Sequence, residues 1–256
     1  MKVISLMGVA AAAAVLFTSC LGDSEASFSA STFAVGIEVS GVSMLSSAYG
    51  VLYSSSLAST IVSGVCYSTS FEVDLGSDEN ENYSSNGYYV AMISSLSEIE
   101  KGTVTYSATD TTQLVDNEIE LSNLTYSTTY GTYVEGYLFL GASYVARNNQ
   151  VNSYTLYWDR SSSENGELDD DGVPTYNLFM RVTKASEGTG ETETSTAEYQ
   201  AFKIGSYMSS IAAAEEEEGN ETFNLKINYL SDISEEDSTD LTWSSFTLTF
   251  YSAYSY

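Results

Sequence analysis

The chain has 256 residues, 43% of them hydrophobic, enough to bury the core of one large β domain or two small ones. Its 35 Asp and Glu against 8 Lys and Arg give a net charge of −27, a field that repels nucleic acid and argues against DNA or RNA binding. Histidine is absent. Its absence removes Ser-His-Asp and Cys-His catalysis, histidine-ligated zinc and a histidine pH switch, whereas carboxylate-pair hydrolysis needs only Asp and Glu.

Met1-Lys2 is a short positive start, and Val3–Phe17 is an uninterrupted run of 15 apolar or small residues. A spanning helix needs about 20, so the run fits the hydrophobic region of a secretory signal. Thr18 and Ser19 then precede Cys20. The stretch Phe17-Thr18-Ser19-Cys20 resembles a bacterial lipoprotein signal, with Phe17 standing where leucine is usual. That resemblance implies cleavage before Cys20 and acylation of the cysteine, with palmitate-like chains worth about 0.8 kcal/mol per buried methylene. Residues 1–19 then form the signal peptide, and 20–32 the lipidated cysteine with a small, polar, acidic tether. With Cys20 acylated, Cys66 has no disulfide partner in the chain.

Strand patterns follow almost without a break. Phe33–Val39 alternates, Tyr49–Tyr53 is a short apolar run, and Val65–Leu75 places Val65, Tyr67, Phe71, Val73 and Leu75 on one parity. Cys66 falls on the wetter parity of that strand. Gly76–Gly87 is an acidic, turn-forming loop, and Tyr88–Leu96 and Thr103–Thr109 complete five strands. Five is the count of a small Greek-key, OB-like barrel, expected over 33–115. The polar stretch Asp110–Asn123 marks the boundary. A β-sandwich is expected over 116–256, from Thr132–Ala146, Val151–Trp158, Thr175–Lys184, Glu198–Ile204, Thr222–Leu230 and Ser244–Ala253. Ser206–Glu218 is the one helical pattern. Its four closing glutamates oppose the helix dipole, so a short, fraying helix or a loop is expected there.

Three stretches carry candidate chemistry. Glu167, Asp169 and Asp171 before Gly172 have the spacing of a loop that wraps a hard cation such as calcium. Position 1 is Glu, however, and position 12 is Leu178 where a bidentate glutamate belongs, so a solvated loop tip is the alternative. Trp158, Trp243 and the tyrosines offer a glycan-stacking platform, or equally a core of cross-strand pairs. The terminal stretch Phe246–Tyr256 completes its own sheet, or is donated to a neighbour as in a fimbria.

The chain also resembles a group of exported lipoproteins of Bacteroidota, the NigD-like proteins and their relatives. The resemblance lies in Cys20–Glu25, Gly172–Lys184, Glu198–Met208, Phe223–Leu230 and Asp240–Phe250. It implies an all-β fold, an OB-like barrel followed by a β-sandwich, and it carries no catalytic residues or cofactor to transfer. Asp23 and Glu25 resemble the acidic surface-export signal of that phylum, and Asp110–Thr112 and Asp237–Thr239 its short O-glycosylation pattern. The expectation is therefore a non-enzymatic lipoprotein of the outer membrane, at the cell surface or on the periplasmic face. The membrane is its partner through lipid, and a protein or glycan is its ligand. A fimbrial subunit or a glycan-binding accessory protein is the alternative.

Overall fold

The computed structural model describes residues 27–127, 130–159, 162, 164–234 and 240–253. The first elements are β1 (Ser27–Val39), β2 (Val42–Ser47), β3 (Gly50–Tyr53), β4 (Cys66–Asp74), α1 (Tyr83–Asn86), β5 (Tyr89–Val90) and β6 (Met92–Ile99). Next come β7 (Thr103–Thr105), β8 (Asn123–Thr125), β9 (Tyr133–Val134), β10 (Tyr137–Asn148), β11 (Val151–Tyr157) and β12 (Glu167–Leu168). The last are β13 (Pro174–Ser186), β14 (Thr189–Lys203), α2 (Gly205–Glu218), β15 (Thr222–Ile233) and β16 (Leu241–Tyr251). The fold is all-β, as the alternating patterns require. It divides into two compact units: residues up to Glu100 with Ser127–Glu135, and Lys101–Tyr126 with Gly136–Tyr256.

The first unit is one sheet in the order β5-β3-β2-β1-β4-β6. β1 pairs antiparallel with both β2 and β4. In β4 the residues Tyr67, Thr69, Phe71 and Val73 are buried, so the expected alternation sets the core face. Ala34, Leu45, Leu52, Ile61 and Ala91 close the core around Tyr67 and Phe71. Cys66 departs from expectation: it is fully buried, because both faces are covered where β4 begins. β2 gave no strand signal. Its serines are half or fully enclosed, and the Ser46 hydroxyl donates to Glu135 Oε1 at 2.7 Å.

The division of the chain also departs from the expected boundary at 115/116. β7 pairs in parallel with β11, and the Gly102 N–H donates to the Ala201 carbonyl at 3.1 Å, which places this strand in the second unit. Conversely, Ser127–Glu135 returns to the first. There the Tyr130 carbonyl accepts from the Phe33 N–H at 2.7 Å and from the Thr32 hydroxyl at 2.9 Å.

The second unit is a sandwich of two sheets, β14-β10-β8 and β16-β15-β13-β11-β7. Leu138, Leu140, Ala142 and Tyr144 of β10 are buried, as are Leu156 of β11, Leu178, Met180 and Val182 of β13, and Leu225 and Ile227 of β15. β16 pairs antiparallel with β15 along its whole length and so completes its own sheet. α2 does not fray. Tyr207, Met208, Ile211, Ala212 and Glu215 are its buried stripe. Gly219, at φ 85°, takes the left-handed turn that ends it, and the Asn220 N–H reaches back to the Glu215 carbonyl at 2.8 Å. Among the described residues no helix is long and apolar enough to cross a membrane.

The polar stretch expected to be a boundary is instead a wedge. β13 and β15 run parallel and paired from Thr175/Asn224 to Met180/Tyr229. Beyond that point the Ile119 N–H donates to the Val182 carbonyl and the Leu121 N–H to the Leu230 carbonyl, both at 2.9 Å. Glu118 lies beside Thr183 in an antiparallel bridge. The wedge is pinned by Arg181, whose five N–H groups all find acceptors. Nε and Nη2 grip the two Glu118 carboxylate oxygens at 2.7 and 2.6 Å. The others reach Thr109 Oγ1 (2.9 Å), the Asp110 carbonyl (2.7 Å) and the Gln113 carbonyl (2.6 Å). Trp243 stacks over the guanidinium at 5.6 Å and donates Nε1–H to the Thr111 carbonyl at 3.0 Å.

Candidate functional site

Cys20, Asp23 and Glu25 lie outside the described residues, as does Asp237–Thr239. The first described strand begins at Ser27, seven residues after Cys20. At Asp110–Thr112, Asp110 Oδ1 accepts from the Thr112 N–H at 2.9 Å and from its hydroxyl at 2.6 Å, and these bonds hold the Asp110 carboxyl below the usual carboxylate range.

The acidic loop is a hairpin connection. Glu167 pairs with Thr175 in β12, and the Asp169 carboxylate is spent on the turn itself. Asp169 Oδ1 accepts from the N–H groups of Asp171 (3.0 Å) and Val173 (2.8 Å), and Oδ2 accepts from Asn224 Nδ2 at 2.8 Å. Glu167, Asp169 and Asp171 are therefore placed by turn and ladder. Among the described residues no group of three or more Asp, Glu, Cys or His converges as metal ligands would.

The two tryptophans do not form one platform. Trp158 is 2% exposed, and Trp243 packs edge-on to Phe179 beside Arg181. Trp158 instead lines a cavity of about 210 Å³ at the α2 end of the sandwich, with Asn165, Tyr176, Tyr207, Ile211 and Ala214. Four parts of the chain meet there: the exit of β11, Asn165 before β12, the start of β13, and the α2 face Tyr207–Ile211–Ala214, spaced at i, i+4 and i+7. Asn165 is fixed by donating Nδ2–H to the Asp159 carbonyl at 2.6 Å and accepting the Asn177 N–H at 3.3 Å.

Behind the lining sits Glu215, 3% exposed. Its carboxylate accepts from the Tyr176 hydroxyl and from Asn220 Nδ2 at 2.6 Å. Burial, then the hydrogen bond to Glu215 and the charges of Glu215 and Glu218, push the Tyr176 phenol well above its ordinary range, so it stays a donor. The Trp158 and Tyr207 rings are in contact with each other and almost fully enclosed, and none of the lining residues is charged. Tyr176, Tyr207 and Glu215 were not candidates from the sequence. The helical spacing Tyr207–Ile211–Glu215 is the signal that could have placed Glu215 on the buried stripe, whereas its meeting with Tyr176 depends on tertiary packing.

Residues 26–97 match the lipoprotein OB domain family. Among solved structures, an uncharacterized protein from Parabacteroides merdae ATCC 43184 is 25% identical with a TM-score of 0.74, over 88% of this chain and 99% of that one. A proposed lipoprotein from Bacteroides fragilis NCTC 9343 is 13% identical with a TM-score of 0.57, over 86% and 96%. A NigD-like immunity protein from Bacteroides caccae ATCC 43185 is 14% identical with a TM-score of 0.45, over 85% and 95%. No curated protein matches the sequence. Residues 26–97, in the first unit, thus resemble a lipoprotein OB domain, and the chain shares the fold of the Parabacteroides merdae protein over most of its length.

Proposed function

We propose that the chain is a non-enzymatic binding lipoprotein, held to the outer membrane by acyl chains on Cys20 and displayed at the cell surface. The observation that carries this reading is the position of the lipoprotein OB domain, which starts at residue 26, directly after the short tether from Cys20. Seven residues span at most about 24 Å when extended, so the folded part stays close to the bilayer. The high acidity then keeps a crowded surface protein soluble and self-repelling. Protease treatment of intact cells tests the display: the surface reading expects digestion without lysis, and protection until the outer membrane is opened would assign the periplasmic face instead.

The pairing of β16 within its own sheet supports the accessory role over a donated fimbrial strand. Phe250 is 9% exposed and stacks on Phe223 at 5.8 Å. Deleting Phe246–Tyr256 is therefore expected to unfold the second unit. A folded monomer that has lost only its ability to polymerise would favour the fimbrial reading.

A further inference from the structure

We infer that the outer face of the sheet over β13, β15 and β16 binds a carboxylated sugar, a hexuronic acid unit of a glycan. This names a ligand class for the binding role proposed above and rests on it. Alternation sends Leu178, Ile227 and Leu248 into the core, and their chain neighbours Asn177, Lys226 and Thr247 stand side by side on the opposite face. Asn228 and Ser245 form the next row beside Phe179, and Asn224 and Thr249 form the row on the other side. Paired residues have Cβ atoms about 4.5–5.5 Å apart, so one sugar ring spans several of them. Lys226 supplies the charge. Among the described residues Arg147, Arg181 and Lys184 pair with Glu193, Glu118 and Glu187, and Lys101 and Lys203 lie over the Tyr137 ring. Lys226, half-buried, has neither a carboxylate nor a ring among them. In a chain with 35 acidic residues, an ammonium left without an acid is matched to an anionic group from outside.

A second observation points to hydroxyl groups on the same ligand. Asn228 is 8% exposed, and its Nδ2 donates to the Leu178 carbonyl at 3.1 Å and to Asn177 Oδ1 at 3.3 Å. The carbonyl fixes which amide atom is nitrogen. That leaves Asn228 Oδ1 without a donor and Asn177 Nδ2 without an acceptor among the described residues. The Ser245 and Thr247 side chains beside them are exposed. An open acceptor, an open donor and two hydroxyls around one ammonium suit the vicinal hydroxyls and carboxylate of a uronic acid. Other ligands fit less well. A bare phosphate would find one cation and an amide acceptor that repels it. A neutral sugar would leave the ammonium unmatched. An added peptide strand has no free edge at β15, which lies between β13 and β16. The Asp169 carboxylate, at the end of the Asn224 row, is already taken by Asp171, Val173 and Asn224.

The test uses the full mature chain in polyoxyethylene-ether micelles, which carry no sugar, with ligand-observed NMR and calorimetry. Methyl β-glucuronide is compared with methyl β-glucoside, which differs only in lacking the carboxylate, and with inorganic phosphate. The glucuronide is expected to bind saturably and the glucoside about 10-fold more weakly, the gap expected of one charge-assisted hydrogen bond. Lys226→Met is expected to abolish that preference without lowering the melting midpoint, since no ion pair is lost. Thr247→Glu, at an exposed position, sets a carboxylate directly across from Lys226 and is expected to abolish it as well. No binding of the glucuronide, equal binding of glucuronide and glucoside, phosphate binding as tightly as the glucuronide, or a preference that survives in either variant would each overturn the inference. If the glucuronide fails while Cys20 is acylated and the chain stays in the membrane, the anchoring proposal stands and the ligand assignment alone falls.

Discussion

Replacing Arg181 with methionine tests whether the wedge between β13 and β15 is held by one buried cation. The Arg181 and Glu118 side chains are 2% and 1% exposed. Removing the guanidinium strands a carboxylate in the interior and strips donors from Thr109, Asp110 and Gln113. Breaking such a pair from one side costs about 3–5 kcal/mol. For a unit of this size each kcal/mol lowers the midpoint by about 2–4 °C, so a fall of about 6–20 °C is expected. The double variant Arg181→Met, Glu118→Leu removes the stranded charge as well. It should recover most of the loss and retain a deficit of about 1 kcal/mol for each carbonyl left without its donor. Urea unfolding followed by tryptophan emission is the assay, since Trp158 and Trp243 both lie in the second unit. Arg147→Met is the control. That side chain pairs with Glu193 at 3.4 Å, the two being 42% and 54% exposed, and its loss should cost less than about 1 kcal/mol. If Arg181→Met costs no more than Arg147→Met, or if the double variant equals the sum of the singles, the latch does not hold the wedge.

Three further outcomes are expected. Burial raises the phenols of Tyr144, Tyr154 and Tyr176 above their ordinary value, reinforced for Tyr154 by its 2.8 Å hydrogen bond to Glu198. A raised folded value adds stability that is complete below the unfolded value of about 10 and is lost as pH climbs toward the folded one. Melting midpoints should therefore hold to about pH 9 and fall above about pH 10, with a shallower fall in Tyr154→Phe; an unchanged slope in that variant would count against burial as the cause. Gly36→Ala should destabilise the first unit by about 1–3 kcal/mol or more, because an added Cβ would lie 2.1 Å from the Val62 carbonyl oxygen. A substitution tolerated in denaturation would mean that the loop backbone at Val62 yields freely. Calcium should leave the melting midpoint unchanged, since Asp169 already serves the turn and Asn224. A rise of several degrees that chelation reverses would restore Glu167, Asp169 and Asp171 as ligands.

Much of the fold was legible because alternation reports one buried face. Val65–Leu75 became Cys66–Asp74, and Val151–Trp158 became Val151–Tyr157, with little change. The pattern failed where that premise failed. Cys66 and Ser46 are buried where both faces of a strand are covered, so parity misjudged the first and hid the strand of the second. The two-residue turn Ser40-Gly41, with φ of 53° and 80°, was the local signal that could have revealed β2. Helix α2 was readable from its spacing, but its stable end depends on Glu215 meeting Tyr176, 39 residues away. The wedge is a property of Arg181 reaching back to Glu118, and no local pattern in Asp110–Asn123 encodes a partner 63 residues distant. For the same reason the cavity was invisible: its rings come from segments whose spacing carries no common period.

The central claim is that this chain is a protein anchored through Cys20. Mass spectrometry of its N-terminal peptide, isolated from the membrane fraction, tests it most directly. The expected peptide begins at Cys20 and carries the added mass of acyl chains. A mature N-terminus at another residue, or an unmodified Cys20 in the soluble fraction, would contradict it.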